Sequence, residues 1–239
     1  MKSEATNPPS SKNQLTINPN WAQLQQGKGK REKMEKDDDD SISVLTPTNT
    51  DCSLTDTIAM DCEMVGVSSQ GNKSALARVT LVNAWGNIVY DEFVRPMERV
   101  VDFRTTISGI RPRDMRKAKD FGDVQTKVAE LVKGRILVGH ALHNDFKALL
   151  LSHPRNHIRD TSEYQPFLKE GRRRALKSLA LEFLNAKIQD GAHCPVDDAR
   201  AAMLLYQKHK KAWERSLKVH LKFKNKHKNR KPKRKNTEG

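Results

Sequence analysis

Between residues 57 and 94 the chain carries three dense apolar runs of strand-forming residues. Residues 57–65 are apolar but broken by carboxylates. Residues 76–84 and 88–94 follow, separated by Trp85-Gly86-Asn87. Strand-length runs with short links predict an antiparallel meander. The breakers Pro96, Gly109 and Pro112 then mark residues 95–115 as loop. Phe121, Val124, Val128, Leu131 and Val132 recur at helical spacing, and Lys133-Gly134 closes that helix. Residues 135–139 read as a short buried strand, 144–151 as a second helix and 158–161 as another strand. Residues 176–184 form a third helix, with Leu176, Leu179, Ala180, Phe183 and Leu184 on one face, and 196–213 a long fourth. The order β-β-β-α-β-α-β-α-α predicts an α/β domain with a mixed sheet over residues 55–215.

The flanks differ in kind. Residues 1–54 are Ser/Asn/Pro-rich and include a mixed-charge run at 28–40; they are expected to be disordered. Asn20, Trp21 and Leu24 are weighed as a small docking patch against untethered apolar residues. Residues 216–239 read as a disordered basic tail. The chain of 239 residues has a net charge of +15. Residues 208–239 hold 14 basic and two acidic residues, so most of the excess lies there. The run 228–235, Lys-Asn-Arg-Lys-Pro-Lys-Arg-Lys, reads as a nuclear import signal or a nucleic-acid patch; a solvated tail is the alternative. A pI near 9.8 points to an anionic partner. No apolar run reaches the ~18 residues of a membrane span. The first 20 residues carry no secretory apolar region. Three cysteines without a Cys-x-x-Cys pair disfavour a disulfide framework and a zinc knuckle. The expectation is a soluble, intracellular protein without a membrane partner.

The carboxylates in apolar surroundings carry the chemistry. Asp61 and Glu63 are two apart in a strand, hence on one face. Side by side they repel and are costly to desolvate unless a hard cation compensates them. The alternative is an exposed edge or strand end. Asp145 follows the strand 136–139, where it is either a helix N-cap or a ligand beyond a strand's carboxyl end. In His193-Cys194-Pro195-Val196-Asp197-Asp198, Pro195 suits a first helical turn. Asp197 is assigned to the helix dipole and Asp198 to the site, with His193 in the preceding loop. His193 beside Cys194 lacks the further soft ligands that zinc requires. Four carboxylates and one histidine make a coherent two-metal site. Two hard ions about 3.5–4 Å apart would clamp the attacking and leaving oxygens of a phosphodiester. The histidine, with an ordinary pKa of about 6.5, would take a proton from the attacking water. Mg²⁺ or Mn²⁺ suits carboxylate ligation better than zinc.

These segments resemble a known family. Met60-Asp61-Cys62-Glu63-Met64-Val65-Gly66, Gly139-His140 with Asn144-Asp145-Phe146, and His193 with Asp197-Asp198-Ala199-Arg200 are similar to the three motifs of the DEDDh 3′→5′ exonucleases. Leu76-Ala77-Arg78-Val79, Phe103-Arg104-Thr105, Ser108-Gly109-Ile110 and Asp160-Thr161-Ser162 match its RNA exonuclease 4-like branch, related to the interferon-stimulated 20 kDa exonuclease. The resemblance implies an RNase H-like fold with a five-stranded mixed sheet flanked by helices. It implies Asp61, Glu63, Asp145 and Asp198 as metal ligands for two divalent cations and His193 as general base. Met64 and Leu142 are candidates to flank the terminal base, with ordinary core packing as the alternative, and Arg104 is a candidate phosphate or ribose contact, with a solvated surface arginine as the alternative. Arg172, Arg173 and Arg174 are a modest backbone-binding patch. The expected activity is 3′→5′ exonucleolytic hydrolysis of RNA, with single-stranded DNA as a second substrate. The setting it suggests is ribosomal RNA processing in the nucleus, in the nucleolus, with pre-ribosomal particles and an import receptor as partners. The competing class is a non-catalytic RNA-binding ribosome-assembly factor on the same fold.

Overall fold

A computed structural model describes residues 44–47 and 49–228, with side chains described as far as His220. Strand β1 (Thr57–Val67) is buried along almost its whole length, as a central strand must be. It pairs antiparallel with β2 (Lys73–Val82), which pairs antiparallel with β3 (Ile88–Arg95). On its other side β1 pairs in parallel with β6 (Ile136–Gly139), and β6 with β7 (Ile158–Asp160). The predicted meander and mixed sheet are therefore present. The sheet has seven strands rather than the expected five. β4 (Val100–Asp102) caps the end of β1, and β5 (Lys119–Asp120) pairs in parallel with β3. β4 lies inside the segment that its breakers mark as loop, and β5 has only two residues, so neither strand is visible in the sequence pattern.

Helices cover both faces. Residues alternate along β1, so Ile58, Met60 and Cys62 share one face and Ala59 lies on the other. On the first face, Val124, Val128 and Val132 of α2 (Phe121–Val132) pack against Met60, Val79 and Leu137. On the second, Ala59, Val82 and Val138 meet α4 (Leu176–Leu184) and α5 (Pro195–Lys228). The short helices α1 (Thr105–Ser108) and α3 (His143–Leu149) lie at the ends of loops.

The described structure extends past both expected domain limits, 55 and 215. Leu45 is buried in the core shared with α4 and α5. The Asn83 side-chain amide donates to the carbonyls of Asp51 (2.8 Å) and Ser53 (3.0 Å). Asn87 donates to Asn49 Oδ1 (2.6 Å) and Asp51 O (2.9 Å). Residues 49–53 are thus held by side-chain amides, which hydropathy does not register. At the other end α5 continues to Lys228, past the expected limit at 215. A helix begun on a packed face propagates at one hydrogen bond per added residue. Asn20, Trp21 and Leu24, the rest of 1–43, and 229–239 lie outside the described residues.

Candidate functional site

The site forms where β6 ends. Gly139 passes so close to its neighbours that a Cβ there would lie 2.4 Å from Leu142 Cδ2 and 2.9 Å from Met60 O, so only glycine fits. Asp160 then pins the turn. Its carboxylate accepts the backbone N–H groups of Ala141, Leu142 and Ser162, each at 2.9 Å. Ala141 is held at a left-handed φ of 55°. This fixes the start of α3. Its N-cap position is Leu142 with no side-chain cap, so Asp145 is not an N-cap. Asp145 is instead buried in the first turn, hydrogen-bonded to Cys62 of β1. The exposed alternative for Asp61 and Glu63 also fails: they lie where β1 pairs only with β2, between its pairings with β6 and β4, yet Glu63 is buried and Asp61 half-buried. On α5, Asp198 is 2 % exposed. Its Oδ2 accepts Gln189 Nε2 at 2.8 Å, and His193 Nδ1 lies 3.7 Å from that oxygen. The His193 loop is tied to α1 by its N–H donating to Ile107 O at 2.7 Å. Asp197 does not line the cleft, and its Oδ1 lies 3.6 Å from Arg200 Nη1.

Asp61, Glu63, Asp145, His193 and Asp198, up to 137 positions apart in the chain, line one cleft of about 800 Å³. One ligand atom each of Glu63, His193 and Asp198 lie within 4.8 Å of one another. The carboxyls disturb each other strongly. Burial, then the charges of Asp145, Asp198 and Glu63, push Asp61 well above the ordinary carboxylate range. Burial and the Asp198 charge raise Glu63 to about 8, against the opposing pull of Arg78. Burial raises Asp145 to about 7 despite its bonds to Cys62, and Asp198 to about 6 despite Gln189. Burial lowers His193, favouring the neutral ring that accepts a proton.

The donor set fits hard divalent cations. Glu63 Oε1 and Asp198 Oδ1 are buried with no hydrogen-bond partner among the described residues. Buried polar atoms are rarely left so, and these two belong to the clustered carboxylates. Oxygen donors carrying this much negative charge are what Mg²⁺ and Mn²⁺ take.

The substrate candidates divide. Met64 and Arg104 line the cleft. Two guanidinium nitrogens of Arg104 already donate, to Ser74 Oγ and Gly71 O, both at 2.8 Å. Leu142 does not line the cleft. It is 1 % exposed, packed in the core between sheet and α2, so its expected place beside the substrate base is corrected. An apolar residue between a strand and a helix reads alike whether it faces core or cleft. In the Arg172–Arg174 patch, Arg173 is paired with Glu163 and Arg174 with Glu182. Sequence reading missed Gln189 and the clamping role of Asp160. Neither stands out chemically, and only the fold brings them to Asp198 and to the 139–142 turn.

The Exonuclease (RNase_T) family model matches residues 58–206. The chain is 56 % identical over 169 residues to RNA exonuclease 4 of Xenopus tropicalis, covering 70 % of this chain and 41 % of that one. It is 52 % identical over 161 residues to RNA exonuclease 4 of Saccharomyces cerevisiae (66 % of this chain, 56 % of that one). To RNA exonuclease 4 of Homo sapiens it is 51 % identical over 164 residues (67 % and 39 %). The chain thus spans from about two fifths to just over half of these relatives' length. Among solved structures it is similar to the Pan2 pseudoubiquitin hydrolase–RNA exonuclease module of Saccharomyces cerevisiae in complex with A7 RNA. The TM-score is 0.59 at 32 % identity, over 74 % of this chain and 33 % of that one. The Pan2 catalytic unit of Neurospora crassa gives 0.59 at 28 % identity, over 69 % and 28 %.

Proposed function

The chain belongs to the exonuclease family, and on that premise we propose that it is a 3′→5′ exonuclease that uses divalent cations to trim RNA. The observation that carries this reading is the gathering of four carboxylates and one histidine from β1, α3, α5 and its preceding loop into one cleft. Asp61, Glu63, Asp145 and Asp198 would hold Mg²⁺ or Mn²⁺. Bound there, the ions supply Lewis-acid stabilisation of the charge that builds on the phosphodiester oxygens. His193, half-exposed at the cleft and biased toward its neutral form, accepts the proton of the attacking water. Gln189 holds the Asp198 carboxylate through one oxygen. Asp160 fixes the turn that delivers Asp145. Met64 and Arg104 meet the terminal nucleotide.

RNA is favoured as substrate because the chain's relatives are named RNA exonucleases and its structural neighbour is in complex with RNA. Single-stranded DNA is the second substrate. The reading extends to ribosomal RNA precursors and pre-ribosomal particles in the nucleolus, with an import receptor reading 228–235; the basic C-terminal composition supports it. A non-catalytic assembly factor would be favoured by a missing site residue, and all five are present.

The test is a panel of 5′-labelled RNA and DNA oligonucleotides, single- and double-stranded, incubated with Mg²⁺, Mn²⁺ or EDTA. The expected result is a ladder shortening one nucleotide at a time from the 3′ end of RNA, absent in EDTA. Internal cuts, or trimming undiminished in EDTA, would sink the proposal.

A further inference from the structure

The three most exposed large apolar side chains among the described residues are Met97 (74 %), Leu150 (65 %) and Ile107 (57 %). All three line the same cleft as the carboxylates. Scattered exposed apolar residues need no explanation, but the three most extreme converging on one groove do. Ile107 belongs to the acidic end, where its carbonyl receives the His193 N–H. Met97 and Leu150 come from two other segments. Met97 lies in the turn between β3 and β4, next to Pro96 and Glu98 on the cleft wall. Leu150 caps the C-terminus of α3 at a left-handed φ of 50°. A branched residue there is costly, and glycine would be the relaxed choice. The strained backbone is held from outside, since Gln125 Nε2 donates to the carbonyls of Leu149 (2.8 Å) and Leu150 (3.4 Å).

Lys147 completes the set. Asn144, Lys147 and Ala148 are spaced i, i+3, i+4 on α3, and all line the cleft. Lys147 is exposed and forms no ion pair among the described residues. The same cleft therefore carries the carboxylates and, on its wall, exposed apolar side chains and a lysine without an ion pair among the described residues.

Resting on the exonuclease reading, we propose that Met97 and Leu150 form a clamp for the unpaired bases just upstream of the nucleotide being removed, with Lys147 taking a backbone phosphate. Apolar surfaces meet base faces without reading base identity, and a lysine neutralises the strand between them. A paired end hides those faces, so the clamp selects single-stranded 3′ ends.

The full chain and its Met97→Ala, Leu150→Gly and double variants test this on two substrates. One is a long single-stranded oligoribonucleotide; the other is the p-nitrophenyl ester of uridine 5′-monophosphate, which ends before the clamp. In the double variant KM for the oligonucleotide should rise about tenfold, with kcat and the rate on the ester retained. Leu150→Gly should not lower Tm, because it relieves the left-handed backbone, so weaker binding could not be ascribed to unfolding. An unchanged KM, or a parallel loss on the ester, overturns the clamp. Anisotropy of a 5′-fluorescent oligonucleotide in EDTA reads binding without turnover. If the wild-type chain binds but cleaves neither substrate, and the variants bind more weakly, the exonuclease reading falls and the clamp stands.

Discussion

Two groups of buried charge on this fold are built on opposite terms. In the middle of β7, Arg159 is 4 % exposed and donates from Nε and Nη2 to the two carboxylate oxygens of Glu214, at 2.7 and 2.9 Å. Tyr206 adds its hydroxyl to the same carboxylate at 2.9 Å. Burial works against the Glu214 charge, but Arg159 outweighs it and holds the carboxyl below its usual range. Trp213 next door stacks on Tyr164 at 3.9 Å between ring centroids. That group fastens α5 to the sheet. In the cleft, four carboxyls share a site, and the Arg78 that pulls against Glu63 is itself committed to Asp91 through two hydrogen bonds. Every carboxyl there is raised, and two oxygens have no partner among the described residues. A paired buried charge secures structure. An unpaired cluster is held at a cost, which protonation or a bound cation would relieve.

Substitution can break the contrast most sharply at Asp61. Asp61→Asn removes one charge from the repelling set and one cation ligand. RNA trimming should fall by on the order of a thousandfold or more, while the Tm of the cation-free protein at pH 8 stays level or rises. A destabilised Asp61→Asn protein would mean that the cluster is structural after all.

The opposite outcome is expected at the clamp of α5. Glu214→Gln leaves Arg159 buried without its counter-charge, which should cost about 3 kcal/mol in denaturant unfolding. The kcat on RNA should be retained in the fraction that stays folded. A stability change within error would show that the pair contributes nothing, as surface pairs often do.

A smaller effect separates the two by pH. In the cation-free protein Glu63, Asp145 and Asp198 titrate near 8, 7 and 6, above their unfolded values. Between the unfolded and folded pKa the native state binds more protons, so their contribution is greatest at low pH and is lost as pH rises toward 8. Tm should therefore decline from about pH 5 to 8 without cation. Added Mg²⁺ or Mn²⁺ should raise Tm by a few degrees, and by more at pH 8 than at pH 5. An equal cation shift at both pH values would detach the cation from these carboxyls.

Much of this was legible in the linear chain. Thr57–Val67 announced itself by apolar density, and Asp61 and Glu63 by interrupting it. Asp145 and Asp198 stood at strand-to-helix and loop-to-helix junctions, where ligands are commonly presented. Other residues gave no such signal. Leu142 looked like a base contact and is core, while Met97 and Leu150 look like ordinary apolar residues and are the most exposed large apolar side chains among the described residues. Asp160 and Gln189 acquire roles only from what they touch.

The sequence alone indicated the order and type of the main elements and the five residues that the fold brings to one cleft. Periodicity and chemical type are local properties of a chain. Tertiary structure decided which face of each element met which neighbour. It gathered carboxylates from residues 61 to 198 into one cleft, turned Leu142 inward and Leu150 outward, and added two short strands that the sequence pattern does not show. Each of these depends on long-range packing, where burial and pairing are set by partners that no local pattern specifies.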